Sequence, residues 1–171
     1  VFTLCPGVYV GDSGEFITNA ATLGINHTTG YPLYTLAGRL VILILPFLSP
    51  AYAVNLLSAL SCAAAIYFVC RTLDELGTSR PVSISASLIL AFSLTFWSRA
   101  TVAEVYAFNV FGISLLMFLL VRWQIGGQGF SRESLAIAFL SGLFLTHHAT
   151  ATVVLLSAIG LMMTHKSLWP R

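Results

Sequence analysis

The sequence predicts an all-α fold, a polytopic transmembrane helix bundle, and three observations carry that expectation. Only 8% of the 171 residues are charged and 57% are hydrophobic, with a mean hydropathy of +0.90, whereas a soluble domain carries about 25% charged residues. The apolar residues fall in long uncharged runs, suited to lipid as solvent. Between those runs lie short polar stretches in which basic residues collect. The net charge of +2 and the lack of basic-aromatic interleaving exclude a nucleic-acid partner. Cys5, Cys62 and Cys70 have no metal-ligand spacing, and the last two read as small core residues inside an apolar run.

Taken in order, the chain opens without methionine and without a signal-peptide pattern, which predicts a fragment whose first span has been cut away. Residues 12–48 are expected to form the first extracytoplasmic loop. Within it, 12–24 predicts a short helix, with Asp12 as N-cap, Glu15 completing a capping box and Gly24 as the stop. Residues 33–48 are apolar but carry Arg39, which predicts a helix lying in the membrane interface. Residues 51–70 hold twenty residues without a charge, enough to cross about 30 Å of hydrocarbon. A polar connection follows at 71–80. Residues 81–97 predict the next span, opened by Pro81 and closed by the interfacial Trp97. Residues 98–104 form a short turn, 105–121 return across the membrane, and 122–134 are a flexible polar loop containing Gly126, Gly127 and Gly129.

The stretch 135–163 reads either as one long helix with histidines buried in it or as two segments, 135–146 and 149–163, meeting at His147-His148. Two segments put Arg71, Arg80, Arg122, Arg132, Lys166 and Arg171 on one side, six of the eight basic residues. The positive-inside rule makes that side cytoplasmic. Two segments are therefore expected. By that topology Asp12, Glu15, His27, Arg99, Glu104, His147 and His148 all meet at the opposite, extracytoplasmic face.

Each of these residues has a structural and a chemical reading. Asp12 and Glu15 serve as caps, or as ionised carboxylates with lone pairs free to take a proton from a hydroxyl. Glu104 complements a helix dipole, or partners a cation or a substrate. Arg99 and Arg39 snorkel to headgroups, or bind an anion such as a phosphate through their forked donors. The His147-His148 pair either caps a helix end or marks a functional site. Adjacent helical residues point about 100° apart, so a single metal would rarely take both histidines. Asn26-His27-Thr28 matches a glycosylation acceptor pattern, but its closeness to the membrane argues against occupancy.

Several motifs add a resemblance. Gly11-Asp12-Ser13-Gly14-Glu15-Phe16, Gly30-Tyr31-Pro32-Leu33-Tyr34, Asn55-Leu56-Leu57-Ser58-Ala59, Thr95-Phe96-Trp97-Ser98, Ala103-Glu104-Val105-Tyr106-Ala107 and His147-His148 follow one another along nearly the whole chain. In these the chain resembles a family of large multi-spanning membrane proteins, long classed as a domain of unknown function and related to protein O-mannosyltransferases. That family is similar to membrane glycosyltransferases of fold type C, which move a sugar from a polyprenyl-phosphate carrier outside the cytoplasm. The resemblance implies a membrane-domain fragment that transfers a sugar, mannose by expectation, to a protein Ser/Thr hydroxyl. Asp12 and Glu15 are then the catalytic acids. His27, Tyr31, Arg39, Arg99, Glu104, Tyr106, His147 and His148 bind substrate. No cofactor is fixed, although a divalent metal is compatible. The protein would be integral to the plasma membrane of a bacterium or the endoplasmic reticulum of a eukaryote. One departure stands out, since Thr28-Thr29 replaces the family's Pro-Pro before Gly30-Tyr31-Pro32. A different class, a transporter or lipid-handling protein with an ion path through Glu104 and His147-His148, remains as the alternative, with a non-catalytic scaffold as a third.

Overall fold

The long apolar runs become helices around which the polar segments fold back. The computed structural model describes residues 3–126 and 130–164. The helices are α1 Ser13–Thr22, α2 Pro32–Ile44, α3 Pro50–Glu75, α4 Arg80–Ala91, α5 Leu94–Ala100, α6 Val105–Ile125, α7 Arg132–Leu145 and α8 Ala151–Thr164, and the described residues contain no strand. The expectations resting on the opening Val1-Phe2, on Gly127 and Gly129 in the loop, and on Lys166 and Arg171 in the basic tail lie outside the described residues.

Among the described residues two helices are long and apolar enough by themselves to cross a membrane, α3 and α6. They are also the pair that packs together most extensively. α3 starts cleanly because Ser49 is extended and its Oγ accepts the Tyr52 amide at 3.2 Å, while Pro50 occupies a position where a missing N–H costs nothing. Its 26 residues continue through 71–75, which the sequence assigned to a polar connection. Arg71 pairs with Glu75 one turn on, at 3.5 Å, and no breaker intervenes before Gly77 at φ +82. The connection shrinks to four residues.

The span expected at 81–97 is broken. α4 and α5 meet at an angle of 69°, and only together do they reach membrane-crossing length. Ser93 makes the elbow: its hydroxyl and amide both reach back to the Leu90 carbonyl, while its extended backbone begins α5. The region 135–163 likewise forms two helices, parted at Thr146–Thr150, where the His147 and His148 amides both donate to the Phe144 carbonyl. At 14 residues each, α7 and α8 extend only about 21 Å, short of a bilayer core.

α1 and α2 fold onto one end of this bundle. Phe16, Ile17 and Ala20 of α1 and Tyr34 of α2 bury against Val54, Leu57, Val105, Phe108 and Phe144 in one core. Gly38 lets α1 and α2 approach closely, since a Cβ there would lie 2.8 Å from that of Ala20. A second core joins Leu116, Leu120 and Trp123 of α6 to Ile137 and Val154. Polar side chains supply interhelical glue where lipid gives no hydrophobic drive. Asn109 of α6, for instance, donates to the Thr150 hydroxyl at 2.8 Å.

Gly112 on α6 leaves room for the Phe144 ring of α7. A Cβ there would meet the Phe144 ring at 2.0 Å, and that ring is buried on all sides. Gly112→Ala should therefore destabilise the protein by about 1–3 kcal/mol. A lowered unfolding midpoint in detergent checks this, and an unchanged midpoint would show that Phe144 yields freely.

Candidate functional site

Asp12 is placed by what precedes it. Asn55, a lone amide in the apolar run of α3, donates to the carbonyls of Cys5 (2.8 Å) and Gly7 (2.9 Å). The Cys5 amide donates to the Thr101 carbonyl at 2.9 Å. These bonds pin the N-terminal segment to α3 and to the turn before α6. Gly11, at φ +82, then turns the chain into α1.

The expected capping box does not form. Asp12 has helical φ and ψ and its side chain makes no capping bond. Glu15 has a better partner: its carboxylate accepts the His27 amide at 2.5 Å and the His27 Nδ1–H at 3.0 Å. Hydrogen bonding to His27 holds the Glu15 carboxyl below its usual value, and the same bond raises His27, with the charge of Asp12 adding to the effect. Asp12 itself is exposed and has no ion pair among the described residues. One ligand atom each from Asp12, Glu15 and His27 can lie within 4.8 Å of the others. This trio is the set with which a divalent metal would be compatible, and the histidine doublet does not join it.

From His27 a train of contacts crosses the end of the bundle. Its ring meets the edge of Tyr31 at 5.6 Å, and Tyr31 stacks on His148 at 6.2 Å. Next comes Tyr106, 6.1 Å from His148, with the Arg99 guanidinium over its ring at 5.5 Å. Arg99 in turn pairs with Glu104 at 3.3 Å. Burial raises the Glu104 carboxyl, Arg99 opposes that, and Asp12 adds to it. Glu104 therefore lies within the electrostatic reach of Asp12. A cavity of about 630 Å³ is lined by Gly11, Tyr9, Ser98, Arg99, Thr101 and Glu104, among others.

Two expected substrate contacts lie elsewhere. Arg39 donates to the Ala21 carbonyl at 2.6 Å, satisfying the C-terminal end of α1. That is about 13 Å along the helix from Asp12. His147 is wholly buried among Tyr34, Phe108 and Phe144, and its Nε2–H donates to the Val105 carbonyl at 3.2 Å. It belongs to the core. His148 alone of the pair reaches the surface, where Thr150, itself held by Asn109, donates to its Nδ1. Asn26 is buried and donates to Thr35 Oγ1 at 2.8 Å, so the acceptor pattern there is closed in the folded chain. Asn55 and Ser58, whose hydroxyl accepts the Glu104 amide at 3.4 Å, went unweighed in the sequence. Polar residues in an apolar run were the available signal.

Residues 12–170 match the family model described as the protein O-mannosyl-transferase TMEM260 N-terminal domain. The chain is 39% identical over 166 residues to protein O-mannosyl-transferase TMEM260 of Mus musculus, covering 93% of this chain and 23% of the mouse protein. It is 30% identical over 139 residues to protein O-mannosyl-transferase tmem260 of Dictyostelium discoideum, covering 80% of this chain and 17% of that protein. The chain thus spans less than a quarter of the length of these relatives. No solved structure matches it.

The Glu15–His27 clasp has a defined pH window. His27, raised on folding, contributes stability that is complete below about 6.5 and lost as pH rises through its raised value. Glu15, lowered on folding, contributes above about 4.5 and loses this as pH falls through its lowered value. Followed by NMR, His27 should titrate above an ordinary histidine, and Glu15→Gln should return it toward the ordinary value. An unshifted titration in the variant would mean that Glu15 does not set the charge of His27.

Proposed function

This chain belongs to the family of the protein O-mannosyl-transferase TMEM260 N-terminal domain, and we propose on that premise that it carries the acid-bearing part of a membrane glycosyltransferase site. The full protein would move mannose from a polyprenyl-phosphate carrier to a Ser or Thr hydroxyl of a protein acceptor. The site faces away from the cytoplasm, toward the lumen of the endoplasmic reticulum in a eukaryote. The carrying observation is the division of labour among three acids, of which Glu104 lines the cavity and Asp12 follows the lining Gly11. Glu15 is committed to His27 and Glu104 to Arg99, while Asp12, beside a cavity-lining glycine, keeps its carboxylate free.

In this mechanism Asp12 accepts the proton of the acceptor hydroxyl as its oxygen bonds to the anomeric carbon. The bond from that carbon to the phosphate oxygen breaks, and the phosphate departs with the electron pair. The leaving group is already a weak base, so the site's contribution is positive charge rather than an acid. Arg99 supplies it: Glu104 takes one of its five N–H donors at 3.3 Å and steadies the guanidinium for the rest. His27, whose pKa the hydrogen bond to Glu15 raises, adds a cation on the same face when it is protonated. Tyr31 and Tyr106 form the aromatic floor between them.

An ion path through Glu104 and His147-His148 is the competing reading. It calls for ionisable groups at mid-membrane depth along a route open on both sides. What favours the transferase is that His147 is sealed in an aromatic core and Glu104 sits at the same end as Asp12.

In the full-length protein, Asp12→Asn should lower mannosyl transfer from polyprenyl-phosphate-mannose to a Ser/Thr peptide by about 10²–10⁴-fold. A rate within error of the unaltered enzyme would remove Asp12 from the chemistry.

A further inference from the structure

We propose that the groove between α3 and the α4–α5 elbow holds the first part of the hydrocarbon tail of a lipid-phosphate donor, with its phosphate at Arg99. The inference rests on the transferase reading and locates its donor. The groove is a cavity of about 380 Å³ walled by Leu56, Ala59, Ala63 and Ile66 of α3 and by Phe96 and Trp97 of α5. Two features of the fold create it. The 69° elbow swings α5 off the line of α4, so the two do not cover α3 continuously. Facing the gap, α3 presents alanines at 59 and 63, one turn apart, which leave a trough where larger side chains would fill it.

The groove does not end in lipid alone. Thr3 and Thr101 line both it and the polar cavity that holds Arg99 and Glu104, so the two form one depression, apolar at one end and charged at the other. A third cavity, on the far side of α5, again has Arg99 at its edge and shares Cys62 and Phe96 with the groove. An occupant that satisfies the whole depression is an amphiphile with one extended apolar chain and an anionic head. A sugar or peptide would leave the trough unfilled, and a two-tailed phospholipid has one chain too many for it. The tail of a singly tailed lipid phosphate fits, its distal units passing out beside Leu60 of α3 and Phe92 at the elbow, both of them exposed. The head is met by a half-exposed guanidinium on a short helix whose position the elbow fixes.

The test uses full-length protein in nanodiscs and a polyprenyl phosphate bearing a diazirine in the isoprene units nearest the phosphate. Irradiation should label α3 between Ala59 and Ile66 and α5 at Phe96 or Trp97. Excess unlabelled polyprenyl phosphate should abolish that labelling, and phosphatidylglycerol should not. In parallel, Ala63→Trp, on an exposed position and checked for intact folding by size exclusion, should raise the KM for a long-chain mannosyl phosphate at least about tenfold, equivalent to losing a few buried methylenes. For a donor truncated to its first isoprene unit the rise in KM should be smaller, which shifts the chain-length preference. Labelling confined to other helices, equal competition by phosphatidylglycerol, or an unaltered chain-length preference would each overturn the groove. Labelling at α3 and α5 by a protein that transfers no sugar would instead overturn the transferase reading on which the donor's identity rests.

Discussion

The structure depends on one knot of rings. Phe16 from α1, Tyr31 just before α2, Tyr34 from α2, Phe108 from α6, Phe144 from α7 and His147 from the α7–α8 break pack with centroids between 5.1 and 6.2 Å. Edge-to-face pairs of this kind contribute about 0.5–1.5 kcal/mol each beyond the area they bury. In lipid such packing replaces the hydrophobic drive that would otherwise hold a loop to a bundle. An imidazole at the centre is tolerable because it is tethered. Its Nε2–H bonds the Val105 carbonyl, and this ties the break between α7 and α8 to the start of α6. The exposed groups that the site uses are next in sequence to these buried ones: His148 follows His147, Tyr106 follows Val105, and Glu15 precedes Phe16. The knot fixes their backbones, and they inherit its rigidity.

Charge is used sparingly elsewhere, which gives the exceptions meaning. Arg71 pairs with Glu75, Arg80 with Asp74, Arg99 with Glu104 and His27 with Glu15. Pairing lowers the cost of holding a charge beside lipid, so each of these pairs has a structural reason whatever else it does. Asp12, next to the cavity-lining Gly11, has no ion pair among the described residues.

Helix existence was legible in the sequence because lipid solvation leaves a coarse mark, long uncharged runs with proline or serine at their starts. Breaks were harder. The elbow at Ser93 has no glycine or proline, and a serine that bonds its own helix backward is indistinguishable in sequence from one facing solvent. The break at His147-His148 was visible because two adjacent imidazoles interrupt an apolar run. The capping box failed for a different reason: spacing reports what Glu15 can reach locally, and its actual partner, His27, comes from across a loop. Arg39 failed likewise, since the ligand it satisfies is a backbone carbonyl, to which the sequence assigns no signal. The gathering of Asp12, Arg99, Glu104 and His148 at one end followed from topology alone. The aromatic bridge through Tyr31 and Tyr106 did not, because it depends on packing at contact distance.

The loop 25–31 shows how a sequence departure changes the kind of constraint without removing it. The resemblance implies two prolines where Thr28 and Thr29 stand, and proline stiffens a loop by narrowing its unfolded states. Here hydrogen bonds stand in that role. Asn19 donates to Asn26 at 2.8 Å, Asn26 to Thr35 at 2.8 Å, the Gly30 amide to the His27 carbonyl at 2.7 Å, and His27 twice to Glu15. Proline stiffening is indifferent to pH, whereas two of these bonds end on an ionisable carboxylate and one begins on an ionisable ring. The loop that presents Tyr31 to His148 is therefore fastened by the same Glu15–His27 hydrogen bond that raises the pKa of His27 beside Asp12. Position and electrostatics at this end of the bundle are set by one interaction, and a change in its protonation would move both together.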